Sequence, residues 1–282
     1  SLQAQTQLGD ADARRAARER LVALARLVLK AWPNEAEGSD ALAILVSEAL
    51  ESRDPATIRG MIASLPAAAP RRGDFLMRLG TALRREAREA SGEASRTDAG
   101  DQATADDLAA WNAEAAKAID EGLAAVEQAG SLPADAAGRV AVAAALARAQ
   151  MALEARDFPQ VERLLRHPVY GPLQVTERGD PALSQGPLAD GARAIALRYF
   201  VETQRPDGAR DVLQAMEKAA GEGADASARL VTTFLAISRD LQSQLDALTS
   251  GPRAGTPEAR QQAATILEGF ETVLEGLRTR DR

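Results

Sequence analysis

Residues 152–165 read Ala152-Leu153-Glu154-Ala155-Arg156-Asp157-Phe158-Pro159-Gln160-Val161-Glu162-Arg163-Leu164-Leu165. A helix ends in a charged turn, and a second helix opens with an apolar residue four places later. The pattern recurs twice. One copy is Ala49-Leu50-Glu51-Ser52-Arg53-Asp54-Pro55-Ala56-Thr57-Ile58-Arg59-Gly60-Met61-Ile62. The other is Phe200-Val201-Glu202-Thr203-Gln204-Arg205-Pro206-Asp207-Gly208-Ala209-Arg210-Asp211-Val212-Leu213. From Asp54 to Asp157 is about three periods of ~34 residues, and Arg205 follows after one such period plus a long loop. Helix pairs with one apolar stripe cannot bury it alone, so stacked pairs must share a core.

Composition agrees. The chain has 282 residues, of which 62 are alanine, the strongest helix former. Aromatic residues make up only 3%, which leaves little material for strands. There is no cysteine, which excludes disulfides, thiolate zinc sites and a cysteine nucleophile. One histidine excludes a multi-histidine metal site. No carboxylates fall in an EF-hand spacing and no cofactor-binding motif stands out, so neither metal nor cofactor is expected. Gly221-Glu222-Gly223-Ala224-Asp225-Ala226 has the look of a dinucleotide loop, but it follows a helix and lacks the third glycine. The net charge of −7 argues against nucleic acid, and no apolar run is long enough for membrane insertion. The opening residues show no signal-peptide pattern. Nothing in the composition chooses between cytoplasm and cell envelope.

Helical periodicity covers most of the chain. Residues 11–31 place Ala17, Leu21, Leu24 and Val28 on one face, and Pro33 ends that helix. Ser39 or Asp40 is expected to cap the next, to about Ser52, with Leu42, Leu45, Val46 and Ala49 inward. A short helix follows Pro55, and Asp74 is expected to cap one reaching about Ala90. Residues 91–103 lack an apolar period and read as a mobile loop. Thr104 and Asp107 form a capping-box-like start for a helix with Leu108, Trp111, Ala115, Ile119, Leu123 and Val126 in one stripe. Helices are further predicted at 134–155, 159–166, 189–204, 207–220, 224–249 and 256–279. Between them, residues 167–188 carry four Pro/Gly signals and read as a long loop.

The joint resembles that of the tetratricopeptide (TPR) repeat family, in a divergent bacterial-type form, with Arg156-Asp157-Phe158 the best match. Leu79-Gly80, with Leu76 and Leu83, is similar to the Leu-Gly core of the family's first helix. Ala82, Ala149 and Ala209 stand where small residues allow close helix approach. Periodicity and tight turns give about eleven helices in antiparallel pairs, and the resemblance, which covers about residues 39–220, implies that they stack as one α-α superhelix, read as a single array over 1–282. Its parts would be N-terminal helices at 11–90, a core at 104–220 interrupted by the loop 167–188, and a C-terminal hairpin at 224–279. It also implies a non-catalytic scaffold that binds a protein or peptide.

Two regions are candidate partner contacts. The first is the loop 167–188 with His167, Tyr170 and Gln174. His167 is the one possible imidazole base, but a histidine closing a helix is also favoured by the helix dipole. The second is residues 98–130, whose excess of acids equals the whole net charge. Asp106, Asp107 and Glu114 lie there, as an acidic face for a basic partner or as solvated helix surface. Two other readings stay open: a helical accessory domain of an enzyme, and a structural segment of a larger chain.

Overall fold

A computed structural model describes residues 11–33, 35–67, 69, 71–94, 104–133, 136–178, 186–203, 205–220 and 255–278, with scattered positions from 235 to 250. Among these, every regular element is helical. Eleven helices have both bounds among the described residues: α1 (Ala11–Ala31), α2 (Ala36–Ser52), α3 (Pro55–Ser64), α4 (Arg72–Ala94), α5 (Ala105–Ala129), α6 (Ala136–Glu154), α7 (Phe158–Leu165), α8 (Pro172–Glu177), α9 (Pro187–Glu202), α10 (Pro206–Ala220) and α11 (Pro257–Arg278). The fold is all-α, as the composition requires. The helix expected at 224–249 falls largely outside the described residues, though 245, 246 and 248–250 are helical. Residues 95–103, 179–185 and 221–226 also lie outside them.

The chain divides into two compact units, with the boundary inside α6 between Arg148 and Ala149. In the first unit, α1 packs on α2, α2 on α3 and α4, and α4 on α5. Its core is made by Leu42, Ile58, Leu76, Leu79, Leu83, Ile119 and Leu123, each essentially inaccessible. Glycine sets the α4–α5 spacing. A Cβ on Gly80 would stand 2.9 Å from the Ala115 carbonyl oxygen and 2.9 Å from Ile119 Cγ1. One on Gly122 would collide with Met77. In the second unit α9 is the centre and touches α7, α8, α10 and α11. It buries Ala192, Ala196, Leu197 and Phe200.

Local signals placed several boundaries correctly. The Thr104 hydroxyl accepts from the Asp107 N–H at 3.1 Å, while the Asp107 carboxylate accepts from the Thr104 N–H at 3.0 Å. Gly130 closes α5 at φ 71°, a left-handed conformation that costs glycine nothing. Thr256 caps α11, with Pro257 in its first turn.

Other expectations are corrected. The helix α2 opens at Ala36, ahead of Ser39 and Asp40, because Gly38 lets its first turn lie against the Trp32 carbonyl. Asp74 is not a cap. It is buried in the first turn of α4, where Arg71 and Arg78 each reach it at 3.0 Å. The same helix continues to Ala94, so residues 91–94 are helix, not loop. In α1 the buried side chains are Ala17 and Ala25, while Leu24 is exposed. An alanine and a leucine look alike to a periodicity argument, and only the neighbouring helix decides which is covered.

The segment 167–188 is not one long loop either. His167, Tyr170, Gly171, Pro172 and Leu173 are buried, and α8 occupies its middle. Pro172 and Pro187 read as breakers, but each opens a helix, where a missing N–H costs nothing.

Candidate functional site: a charged-rim cleft and stapled joints in the second unit

The three helix–turn–helix joints share features in overlapping pairs. In the α2–α3 joint Arg53 takes a left-handed conformation, φ 52°, and the Asp54 carboxylate then accepts from the Ala56 and Thr57 N–H groups. In the α6–α7 joint Arg156 has φ 58° and Asp157 accepts from the Gln160 N–H. There the Asp157 N–H also closes onto the Ala152 carbonyl five residues back, at 2.8 Å. The α9–α10 joint repeats that bond from Arg205 to Phe200, also at 2.8 Å. Such bonds satisfy carbonyls that a helix end leaves open.

The arginines of these turns reach acids on other helices. Arg53 pairs with Glu86 and Glu89 on α4. In the second unit the exchange is reciprocal. Arg156 reaches Glu202 at the end of α9, where the carboxylate is almost fully enclosed and also held by Arg198 at 2.8 Å. Arg205, from the joint after α9, reaches back to Glu162 on α7 at 3.4 Å. Tyr199 completes the second staple, its hydroxyl donating to Glu162 at 2.8 Å and accepting from Arg205 at 3.0 Å. The Arg205 guanidinium also lies 5.6 Å from the Phe200 ring centre, and Arg156 lies 5.2 Å from that of Phe158.

Beside the staples, a cleft of about 690 Å³ opens between α8, α9 and α10. Leu173, Phe200 and Val212 form its apolar floor. Gly208 makes room for it, since a Cβ there would strike the Phe200 ring at 2.6 Å. Arg166, Lys218, Glu177 and Asp211 stand exposed around the opening, with Ala215 and Ala219 between them. Arg193 lines the wall, itself buried and 3.4 Å from Asp190. The cleft thus joins an apolar floor to a rim of both signs. Among the described residues no cluster of acids and histidine has the form of a metal site.

The residues expected from sequence fall in two places. His167 and Tyr170 stack at 3.8 Å with their planes 8° apart, and His167 Nδ1 accepts from the Val169 N–H. Both are buried, and neither lines the cleft. Gln174 donates to Glu177 at 3.2 Å and so steadies a rim acid. Asp106, Asp107 and Glu114 belong to the first unit. Asp106 is exposed in the first turn of α5, Asp107 serves the cap, and Glu114 pairs with Arg59 at 2.6 Å. Glu121 and Asp120 on the same helix pair with Arg72 and Arg148. Most of the acidic surplus on α5 is thus met within the fold, while Lys117 stands exposed. Arg166, Phe200, Val212 and Lys218 were not singled out from sequence. For Val212 and Lys218 the one signal was the double apolar face of α10, with Val212 and Met216 inward and Ala215 and Ala219 outward.

Comparison with protein-family models, with curated proteins and with solved structures found no match.

Proposed function

We propose that the chain is a non-catalytic, TPR-like scaffold that binds a protein or peptide segment, with the cleft of the second unit as one contact. The observation that carries this reading is the reciprocal stapling of the α6–α7 and α9–α10 joints by Arg156–Glu202 and Arg205–Glu162. It repeats one construction at two turns and uses its charged groups to lock helix pairs together. A repeat built this way spends its acids and bases on stacking and leaves its grooves for ligands. The cleft supports the reading with an apolar floor of peptide-side-chain size.

The test is site-specific crosslinking in source cells. A photoreactive residue in place of Ala219, at the rim, is expected to capture one discrete species. The same residue in place of Arg163, exposed on α7 and not part of the cleft lining, is expected to capture none. Capture should vanish when Ala215→Arg blocks the opening. Equal capture at both positions, or capture indifferent to Ala215→Arg, would defeat the assignment of the cleft.

A further inference from the structure

A groove of about 490 Å³ lies in the first unit between α1, α2 and α3. Each helix gives it one face. Val22, Arg26 and Leu29 follow one another on α1 at helical spacing, with Lys30 beside them. Leu45, Glu48 and Ala49 of α2 make the floor. Gly60 and Met61 of α3 make the other wall, between Thr57 and Ser64. Among the described residues α1 and α3 both pack on α2 but not on each other, which leaves the groove open.

Its polar groups fall into two sets. The Thr57 hydroxyl donates to Asp54, and the Ser64 hydroxyl donates to the Met61 carbonyl. Glu48, the acid on the floor, is held by Arg18 at 2.5 Å. Arg26 and Lys30 are exposed on the α1 wall, and among the described residues neither pairs with an acid. Gly60 has no role in packing. It stands inside α3, where glycine costs stability, and nothing lies within 4 Å of where its Cβ would be. Its missing side chain lets an occupant of the groove lie directly on the α3 backbone.

We propose that this groove binds a small amphipathic anion, with an oxyanion head at Arg26 and Lys30 and an alkyl stem laid against Leu45, Met61 and Gly60. The proposal goes beyond the scaffold reading and uses none of the cleft's residues. Three observations select this occupant. The unpaired charges are two cations on one wall, and guanidinium and ammonium both suit carboxylate or phosphate oxygens. The rest of the lining is mostly apolar, in an open space of small-ligand size. A peptide would bring backbone carbonyls that need donors, yet both hydroxyls of the α3 wall already donate elsewhere. An alkyl stem needs no donors.

Titration calorimetry on the full chain tests this with decanoate, decyl phosphate, decanol and decyltrimethylammonium, all below their micellar range. One decanoate or decyl phosphate per chain is expected to bind, and the tighter of the two names the head group. Decanol should bind at least ~10-fold more weakly than decanoate, and the cation more weakly still. Shortening decanoate to octanoate should cost about 3- to 4-fold per methylene. Arg26→Gln with Lys30→Gln should bring decanoate down to the affinity of decanol and leave decanol unchanged. Gly60→Leu should abolish binding of both. The space around Gly60 is open, so that variant should keep the wild-type circular dichroism. Equal affinity for decanoate and decanol, no heat with any of the compounds, or binding indifferent to Gly60→Leu overturns the proposal. So does sedimentation with phosphatidylglycerol vesicles, binding of a Leu/Glu peptide, or dimerisation, where Gly60→Leu abolishes it and decanoate does not bind. Those results would assign the groove to a bilayer, a protein or a second copy. Crosslinking at Ala219 reads the other unit, so this proposal and the scaffold reading fail separately.

Discussion

The hydroxyl of Tyr199 joins two titrations. It donates to Glu162 and so holds that carboxyl below its usual range, against partial burial and with the charge of Arg205 assisting. Tyr199 itself is pushed above the usual tyrosine range, first by burial and then by the bond and charge of Glu162. The signs follow from linkage. A depressed carboxyl contributes stability that is complete above the ordinary carboxylate range and lost as pH falls through the lowered value. A raised tyrosine contributes stability that is complete below the ordinary tyrosine range and lost as pH rises through the raised value. Tyr199→Phe removes the shared bond and should cost about 1 kcal/mol near neutral pH. Its difference from wild type in melting temperature should be widest there and should narrow below about pH 4. A difference that stays constant to the acid limit would mean that Glu162 does not depend on Tyr199.

At the scale of the element, glycines sort by what their missing side chain makes room for. Gly80 sits against the α5 backbone, so Gly80→Ala should force α4 and α5 apart and cost about 1–3 kcal/mol. Gly60, exposed in the interior of α3, has nothing within 4 Å of where a Cβ would stand. Gly60→Ala should therefore stabilise the protein by up to about 1 kcal/mol through helix propensity alone. Chemical denaturation of the two variants checks both signs. The sequence showed these glycines but not this difference, and the reason is general to the chain. Signals that act within one turn were legible: Thr104 with Asp107, Gly130, Pro55 after Asp54, and Thr256 before Pro257. Features settled by a neighbouring helix were not. Leu24 and Ala17 are equally apolar to a periodicity count, and Asp74 has the chemistry of a cap until two arginines claim it. Of the site, the turn arginines and acids were visible as a recurring pattern. Their exchange across 46 and 43 residues was not, nor was the cleft, which exists only where three helices meet.

For the molecule as a whole, each unit has its own sealed core, with Leu79 at the heart of one and Leu197 of the other. Leu79→Ala and Leu197→Ala should each cost about 3 kcal/mol. Hydrogen exchange should locate the damage. Leu197→Ala should speed exchange in α7, α9 and α10 and leave α4 and α5 at wild-type protection, and Leu79→Ala should do the reverse. Equal loss of protection in both units from either variant would show one cooperative block.

The positions of the lysines have a consequence for covalent regulation. The chain spends arginine on nearly all its positive charge and keeps lysine at three positions, Lys30, Lys117 and Lys218. One is exposed on α1 at its groove with α2 and α3, one on the exposed side of α5 and one at the rim of the cleft. Guanidinium groups resist acylation, whereas an acyl group on a lysine amine erases its charge. Enzymes or metabolites that acylate amines would therefore leave every Arg–Glu staple intact. At the proposed cleft they would change the charge of the rim through Lys218 alone.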